Sequence, residues 1–149
     1  MITTNYESSH ELIPEGNYEV IIGQPTSATT RGGTTYIDIP LTVREDLAQQ
    51  SAGAVIHHSI WKKHSPNDMD NQIGGYNFGA VMAVMKNAGI PSGQSFDSLK
   101  SMLSAIVGKP IRISLIHEEY NGFKNERVSS FSPTAHPVVN TVVTDDVPF

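Results

Sequence analysis

The feature that most constrains this chain is a two-residue hydrophobic alternation that recurs in its first half. Apolar and polar residues alternate over 17–24, 35–44 and 54–63. Successive side chains of a strand point to opposite faces, so this alternation predicts three β-strands. Pro40 lies in the second strand and cannot donate a ladder hydrogen bond, which predicts an edge or bulge position. The polar, Gly-rich segment 25–34 is predicted to be a mobile loop.

A helical period replaces the alternation in the middle of the chain. Apolar residues recur at helical spacing over 76–89, and again from Phe96 or Asp97 to Val107. Gly89 and Gly108 follow these runs, as helix-terminating glycines do. The alternation then returns over 110–119 and 126–131, and the Asn-Gly pair between them is typical of a β-hairpin turn.

The predicted order is three strands, a helical insertion and two strands. The five-stranded OB-fold barrel has this order, with its helix between strands three and four. We therefore expect an all-β domain with a helical insertion over 12–132. An N-terminal arm (1–11) precedes it, and a flexible, disordered acidic C-terminal tail (133–149) follows it. The alternative is a small open α+β sheet, because the order of elements along a chain does not define barrel closure.

Composition and motifs exclude several classes of protein. The chain contains no Cys, which excludes disulfides, thiolate nucleophiles, zinc fingers and iron–sulfur clusters. No apolar run approaches the ~18 residues of a membrane span, and the N-terminus lacks a secretory signal, so we expect a cytoplasmic protein. Phosphate-binding and metal-binding motifs do not occur, and we expect no cofactor, no metal and no catalysis. The acidic residues of 68–70 and 118–119 are interpreted as solvated loop charge.

Charge is unevenly distributed along the chain. All 10 basic residues lie within 31–131, where nine of the 15 acidic residues balance them to +1. The other six acidic residues lie nearer the two ends and bring the formal net charge to −5. A slightly basic middle between acidic ends is compatible with an anionic ligand.

Aromatic and basic residues are interleaved on the predicted outward faces of the strands and in the last hairpin. Rings offer a surface on which unpaired bases stack, and cations follow the phosphates, so this pattern indicates single-stranded nucleic acid. The alternative is that some rings pack at the rim of the barrel. The candidate DNA-binding residues are Arg31, Tyr36, Trp61, Lys62, Lys63, Arg112, Tyr120, Phe123, Lys124, Arg127 and Phe131.

The C-terminus ends in Asp145, Asp146, Val147, Pro148 and Phe149. A solvated tail accounts for the acids but not for an apolar tip beside a free carboxylate. A basic pocket on another protein could bind the carboxylate and the Phe ring together, so these five residues are candidate partner-binding residues.

Two resemblances support this interpretation. The tip is similar to the acidic tip of bacterial single-stranded DNA-binding proteins, which ends in Ile-Pro-Phe where this chain has Val-Pro-Phe. Roughly residues 12–137 resemble a phage family from replication and recombination gene clusters, treated as single-stranded DNA-binding proteins. The segments that carry this second resemblance are 12–20, 60–63, 74–78, 107–110 and 117–122.

These resemblances imply an OB barrel, single-stranded DNA as ligand, and a tip that recruits host or phage replication, recombination or repair proteins. We therefore expect a non-catalytic, largely sequence-independent single-stranded DNA-binding protein, with no membrane partner and with homo-oligomers left open. The alternative is an OB-fold module that binds RNA or another protein. An enzyme ranks third, because the chain has no recognisable set of nucleophile, base and metal ligands.

Overall fold

The computed structural model describes residues 12–138, and these form one antiparallel sheet of six strands with three short helices. The strands are β1 (Gly16–Ile22), β2 (Thr26–Thr29), β3 (Thr35–Val43), β4 (Val55–Trp61), β5 (Pro110–Tyr120) and β6 (Phe123–Ser132). The helices, α1 (Asp68–Gln72), α2 (Phe78–Asn87) and α3 (Leu99–Ser104), all lie between β4 and β5 in the chain. The predicted position of the helical insertion is confirmed.

One predicted loop is wrong, because Thr26–Thr29 forms strand β2 and pairs with the start of β3. Its residues are mostly exposed, so no apolar alternation marks it as a strand. The sheet thus has six strands where the sequence predicted five.

β1 and β2 lie one after the other along the same edge of β3, while β4 occupies the opposite edge. The break between them lies opposite Pro40, which has no N–H to donate. The Pro40 carbonyl instead accepts a bond from the Gly23 N–H at 2.8 Å. Pro40 is therefore in a central strand, at an interruption of the ladder rather than at an outer edge.

The two outermost strands approach each other but are not joined. In the described part of the chain no ladder connects β4 to β6. The outer edge of β4 is bonded at its end, where the Asn77 N–H donates to the Trp61 carbonyl at 3.2 Å, and the outer edge of β6 pairs with no other described strand. Their contact includes the rings of His58 and Phe131, whose centroids lie 4.9 Å apart at 78°. The sheet is consequently not a closed barrel, and the predicted OB barrel is not confirmed in that form.

The core lies on one face of the sheet, under the helices. The alternation predicted which side chains of β3 and β4 face the core. Ile37 and Ile39 of β3 and Ile56 and Ile60 of β4, which lie on that face, are all buried. Val81, Val84 and Met85 of α2 pack onto it. Asn77 and Ser98 cap α2 and α3 by accepting backbone N–H bonds, so polar residues set where both helices begin.

The chain after β6 is held to the sheet at Thr134, Ala135 and His136. Thr134 and Ala135 donate to the Glu19 carboxylate, and the His136 carbonyl accepts from Arg44. We refer to residues 134–136 as the C-terminal clasp. The clasp lies within the first residues of the predicted tail (133–149). The rest of that tail from residue 139, with its tip Asp145–Phe149, and the predicted arm (1–11) lie outside the described residues. None of the described helices is long and apolar enough to cross a membrane.

Candidate nucleic-acid interface

An aromatic pair, a half-buried Tyr and an exposed Trp, lies on the side of the sheet opposite the core. Tyr36 of β3 and Trp61 of β4 are directly paired, with ring centroids 4.7 Å apart and planes tilted by 39°. Their neighbours Ile37 and Ile60 are buried, so alternation directs Tyr36 and Trp61 outward. Trp61 remains 46% exposed. The structure thus brings two of the predicted site residues together on an accessible surface.

The same surface continues along β3 and β4 with polar side chains. The next cross-strand pair whose side chains face outward is Asp38 of β3 with Ser59 of β4. In the outward-facing pair after that, His57 of β4 lies opposite Pro40. The His57 Nδ1 lies 3.1 Å from both carboxylate oxygens of Asp38. We call Tyr36, Asp38, His57, Ser59 and Trp61 the outer face. Sequence reasoning missed Asp38 and Ser59 as site candidates, although the alternation that placed Trp61 also places them beside it.

A tight turn presents Arg31 at the start of this surface. The turn between β2 and β3 is closed by a bond from the Thr30 N–H to the Thr34 carbonyl at 2.9 Å. Gly33 takes a φ of 88°, a conformation that side chains with a Cβ rarely adopt. Arg31 is exposed and makes no ion pair within residues 12–138. It is therefore available to an anionic ligand.

Lys62 and Lys63 follow Trp61 but have different surroundings. The Lys62 Nζ lies 5.4 Å from the centroid of the Tyr76 ring, in cation–π geometry, and the side chain stays exposed. The Lys63 Nζ lies 3.0 Å from a carboxylate oxygen of Asp70, whose side chain is only 2% exposed. Lys62 can contact a ligand without losing an ion pair, whereas Lys63 neutralises a buried acid.

Asp70 corrects the interpretation of 68–70 as solvated loop charge. Its carboxylate accepts bonds from the backbone N–H groups of Phe78 and Asn67, at 2.8 and 2.9 Å. These two bonds, then Lys63, lower the pKa of Asp70 to about 2. Asp70 therefore joins the start of α1 to the start of α2. No local pattern marks this role, because the partner amide of Phe78 is eight residues away.

Arg112 also has a buried partner. Its guanidinium lies 3.0 Å from the carboxylate of Glu19, whose side chain is 4% exposed, while that of Arg112 is 37% exposed. Burial raises the pKa of Glu19, but bonds from Thr134, Ala135 and Arg112 outweigh it and hold the pKa below its usual value. Arg112 thus helps to secure the C-terminal clasp.

Phe131 and Arg127 of β6 lie near His58 of β4, and Phe131 makes no ring contact with Tyr36 or Trp61 among the described residues. Phe131 is half-buried and packs edge-on against His58, so its contacts support the alternative of packing at the sheet rim. Burial lowers the pKa of His58 to about 4, and the charge of Arg127 contributes. Arg127 itself forms a largely exposed ion pair with Glu118 at 2.7 Å.

The β5–β6 hairpin forms a second accessible region. β1 pairs with β5 only as far as Leu115, so the ribbon beyond it, up to Tyr120 and Phe123, is paired within itself. Asn121 and Gly122 form the turn with φ values of 52° and 82°, which confirms the predicted hairpin. Phe123 is 71% exposed, and Lys124 follows it. The aromatic contacts of the described residues do not connect Phe123 with Tyr36 or Trp61.

Comparison with known families supplies an assignment. Residues 2–140 match DUF669, a family described as a protein of unknown function. The chain belongs to the DUF669 family. No curated protein matches it.

Proposed function

We propose that this DUF669 protein binds single-stranded DNA, without catalysis and with little dependence on sequence, during phage DNA replication or recombination in the host cytoplasm. The observation that carries the proposal is the Tyr36–Trp61 pair on the outer face, in which Trp61 is exposed and Tyr36 half-buried. Base–aromatic stacking contributes ~1–3 kcal/mol per base and accepts every base, because each base has a π-face. An exposed Trp packed against a tilted Tyr ring offers a surface of this kind.

The arrangement of strands supports an OB-like interpretation of the sheet. β1 pairs with both β3 and β5, and β1 and β2 together behave as one long strand interrupted opposite Pro40. On OB-folds, ligands bind the face of the second and third strands and the first and last inter-strand loops. In this fold those positions correspond to β3, β4, the turn that carries Arg31, and the β5–β6 hairpin. We propose that the sheet is an OB-like barrel left open between β4 and β6.

The available cations support contact with phosphates at both regions. Arg31, Lys62 and Lys124 are exposed and form no ion pair within residues 12–138. Each phosphate contact on a single strand contributes about −0.7 to the log–log salt slope. Three such contacts give a slope of roughly −2, and further contacts through Lys63, Arg112 or Arg127 would make it steeper.

A fluorescence titration tests this proposal directly, since Trp61 is the only Trp of the chain. Oligo-dT should quench Trp61 emission through stacking, and the affinity should fall as salt increases. Duplex DNA of the same length and oligo-U provide the comparison. Tighter binding of duplex, or a flat salt response with dT, contradicts the proposal. Tighter binding of oligo-U, or quenching only by a protein, favours the RNA-binding or protein-interaction module instead.

For the tip Asp145–Phe149 we propose recruitment of host or phage replication, recombination or repair proteins. Its support is chemical: two acids, an apolar ring and a terminal carboxylate suit a basic pocket with an apolar floor. The Phe149 ring is the only large apolar anchor of the tip, so Phe149→Ala should remove most partner binding. The measurement is a pull-down with full-length protein, Phe149→Ala and a chain truncated after Thr144. Identical partner sets from all three would contradict a recruiting tip, while unchanged oligo-dT binding serves as the folding control.

A further inference from the structure

Asp38 is an unusual residue to find beside a platform for a polyanion. It lies on the outer face between the Tyr36–Trp61 row and the row of His57. Its side chain is 26% exposed, so its charge is accessible from the side on which a ligand would lie. A carboxylate at this place repels phosphates, and it therefore disfavours a path of the sugar–phosphate backbone across the centre of the outer face.

The carboxylate of Asp38 can accept further hydrogen bonds beside the one from His57. A carboxylate has two oxygens with about four acceptor positions. His57 approaches both oxygens at 3.1 Å but brings one Nδ1 donor to share between them. Ser59, directly across the ladder, adds a hydroxyl to the same row. His57 thus orients the carboxylate while acceptor positions stay accessible.

The spacing of the rows matches the size of a base. Asp38 is two residues from Tyr36 on β3, a separation of ~6.6–6.8 Å along the strand. A hydrogen bond from an amine to a carboxylate needs ~2.7–2.9 Å. A base stacked over the Tyr36–Trp61 pair is large enough to span the remaining distance, which would bring an amine at its ring edge within reach of Asp38.

We propose that Asp38, positioned by His57, accepts a hydrogen bond from the exocyclic amine of a base stacked on Trp61, and so favours cytosine over thymine at this position. Cytosine presents an N4 amine donor at the place where thymine presents an O4 acceptor, and Asp and Glu accept from that amine. The two rings are of equal size, so stacking alone separates them little. The inference rests on the proposed single-stranded DNA binding and adds a base preference to it.

The first experiment compares oligo-dC, oligo-dT and oligo-dC bearing N4,N4-dimethylcytosine, by Trp61 fluorescence with the full chain at pH 8. Oligo-dC should bind at least about fivefold tighter than oligo-dT, which corresponds to about 1 kcal/mol. The dimethylated probe has no N4 donor and should bind like oligo-dT. Equal binding of the three probes overturns the inference while the proposed function stands, whereas failure of all three to bind overturns both.

The second experiment uses Asp38→Asn, with Asp97→Asn as the matched control. Asp97 is an exposed acid before α3, so its replacement gives the same change in net charge elsewhere on the chain. Asp38→Asn should weaken oligo-dC binding several-fold and leave oligo-dT binding unchanged or tighter, because a repelling charge is removed. Tighter binding of both probes shows that Asp38 only repels phosphate, and overturns the inference. If the variant fails to fold, the three-probe comparison on the wild-type chain decides.

Discussion

Aromatic and basic residues have opposite roles at two places in this sheet. On the outer face of β3 and β4, Trp61 is 46% exposed, and the nearby Arg31 and Lys62, which lie beyond the ends of these strands, have no acidic partner within residues 12–138. Around β1, Arg112 and Arg44 are bound to Glu19 and Asp46, or to the clasp backbone, and Tyr18 is buried. The partner acid, rather than proximity to a ring in the sequence, therefore decides whether a cation is available to a ligand.

The largest effect should come from removing the buried acid of the β1 region. Glu19→Ala leaves Arg112 unpaired and deletes the acceptor for Thr134 and Ala135, so we expect a loss of about 3 kcal/mol in the free energy of unfolding. Urea denaturation measures it. Glu45→Ala, at an exposed position, is the control and should stay within ~0.5 kcal/mol of wild type. Equal stability of the two variants would contradict a structural role for the clasp.

The contact between β4 and β6 should respond to pH through His58. Its pKa is about 4 in the folded chain, against ~6.5 when unfolded, because burial disfavours the charged ring. Between these values the unfolded state binds more protons than the folded state, so stability is full above ~6.5 and falls as the pH drops towards 4. The loss reaches about 3 kcal/mol at most.

Urea denaturation across this pH range, with two variants, isolates the contribution of His58. His58→Gln should remove most of the pH dependence between 6.5 and 4. His57→Gln, one residue away and 60% exposed, should retain it. The same pH profile in both variants would mean that another group titrates in this window. Asp70, with its pKa of about 2, loses most of its stabilising contribution below pH 4.

What the sequence could predict follows from local periodicity. Alternation assigned Ile60 to the core and Trp61 to the surface correctly, because the phase of a strand depends only on neighbouring residues. Glu19 and Arg112 pair across 93 residues of chain, and no local pattern connects them. Strand β2 lacks buried apolar residues, and barrel closure depends on how β4 meets β6. These features arise from tertiary pairing and could not be predicted from one sequence.

A smaller effect, on DNA binding, should come from the outward face of β4, and the buried face of the same strand supplies the control. Trp61→Ala should weaken oligo-dT binding by ~1–3 kcal/mol with little change in thermal stability, since the ring is exposed. Ile60→Ala, at a buried neighbour, should instead lower stability by ~2–5 kcal/mol. Fluorescence anisotropy with labelled oligo-dT measures binding in both variants, because it needs no Trp. If Trp61→Ala collapses the thermal transition and leaves binding unchanged, the platform is structural.

The smallest effect concerns Lys62 and Lys63, adjacent residues that the sequence assigned to the same role. Lys62 forms no ion pair in the described residues, so Lys62→Ala should make the salt slope shallower by about 0.7, the contribution of one phosphate contact. Lys63→Ala should leave the slope nearly unchanged and lower the melting temperature, because it leaves the buried Asp70 carboxylate without its cation. Anisotropy at four salt concentrations and thermal unfolding measure the two quantities. The opposite result would be a shallower slope for Lys63→Ala and an unchanged slope for Lys62→Ala. It would mean that Lys63 leaves Asp70 and binds a phosphate, and that a buried acidic partner does not prevent a cation from contacting DNA.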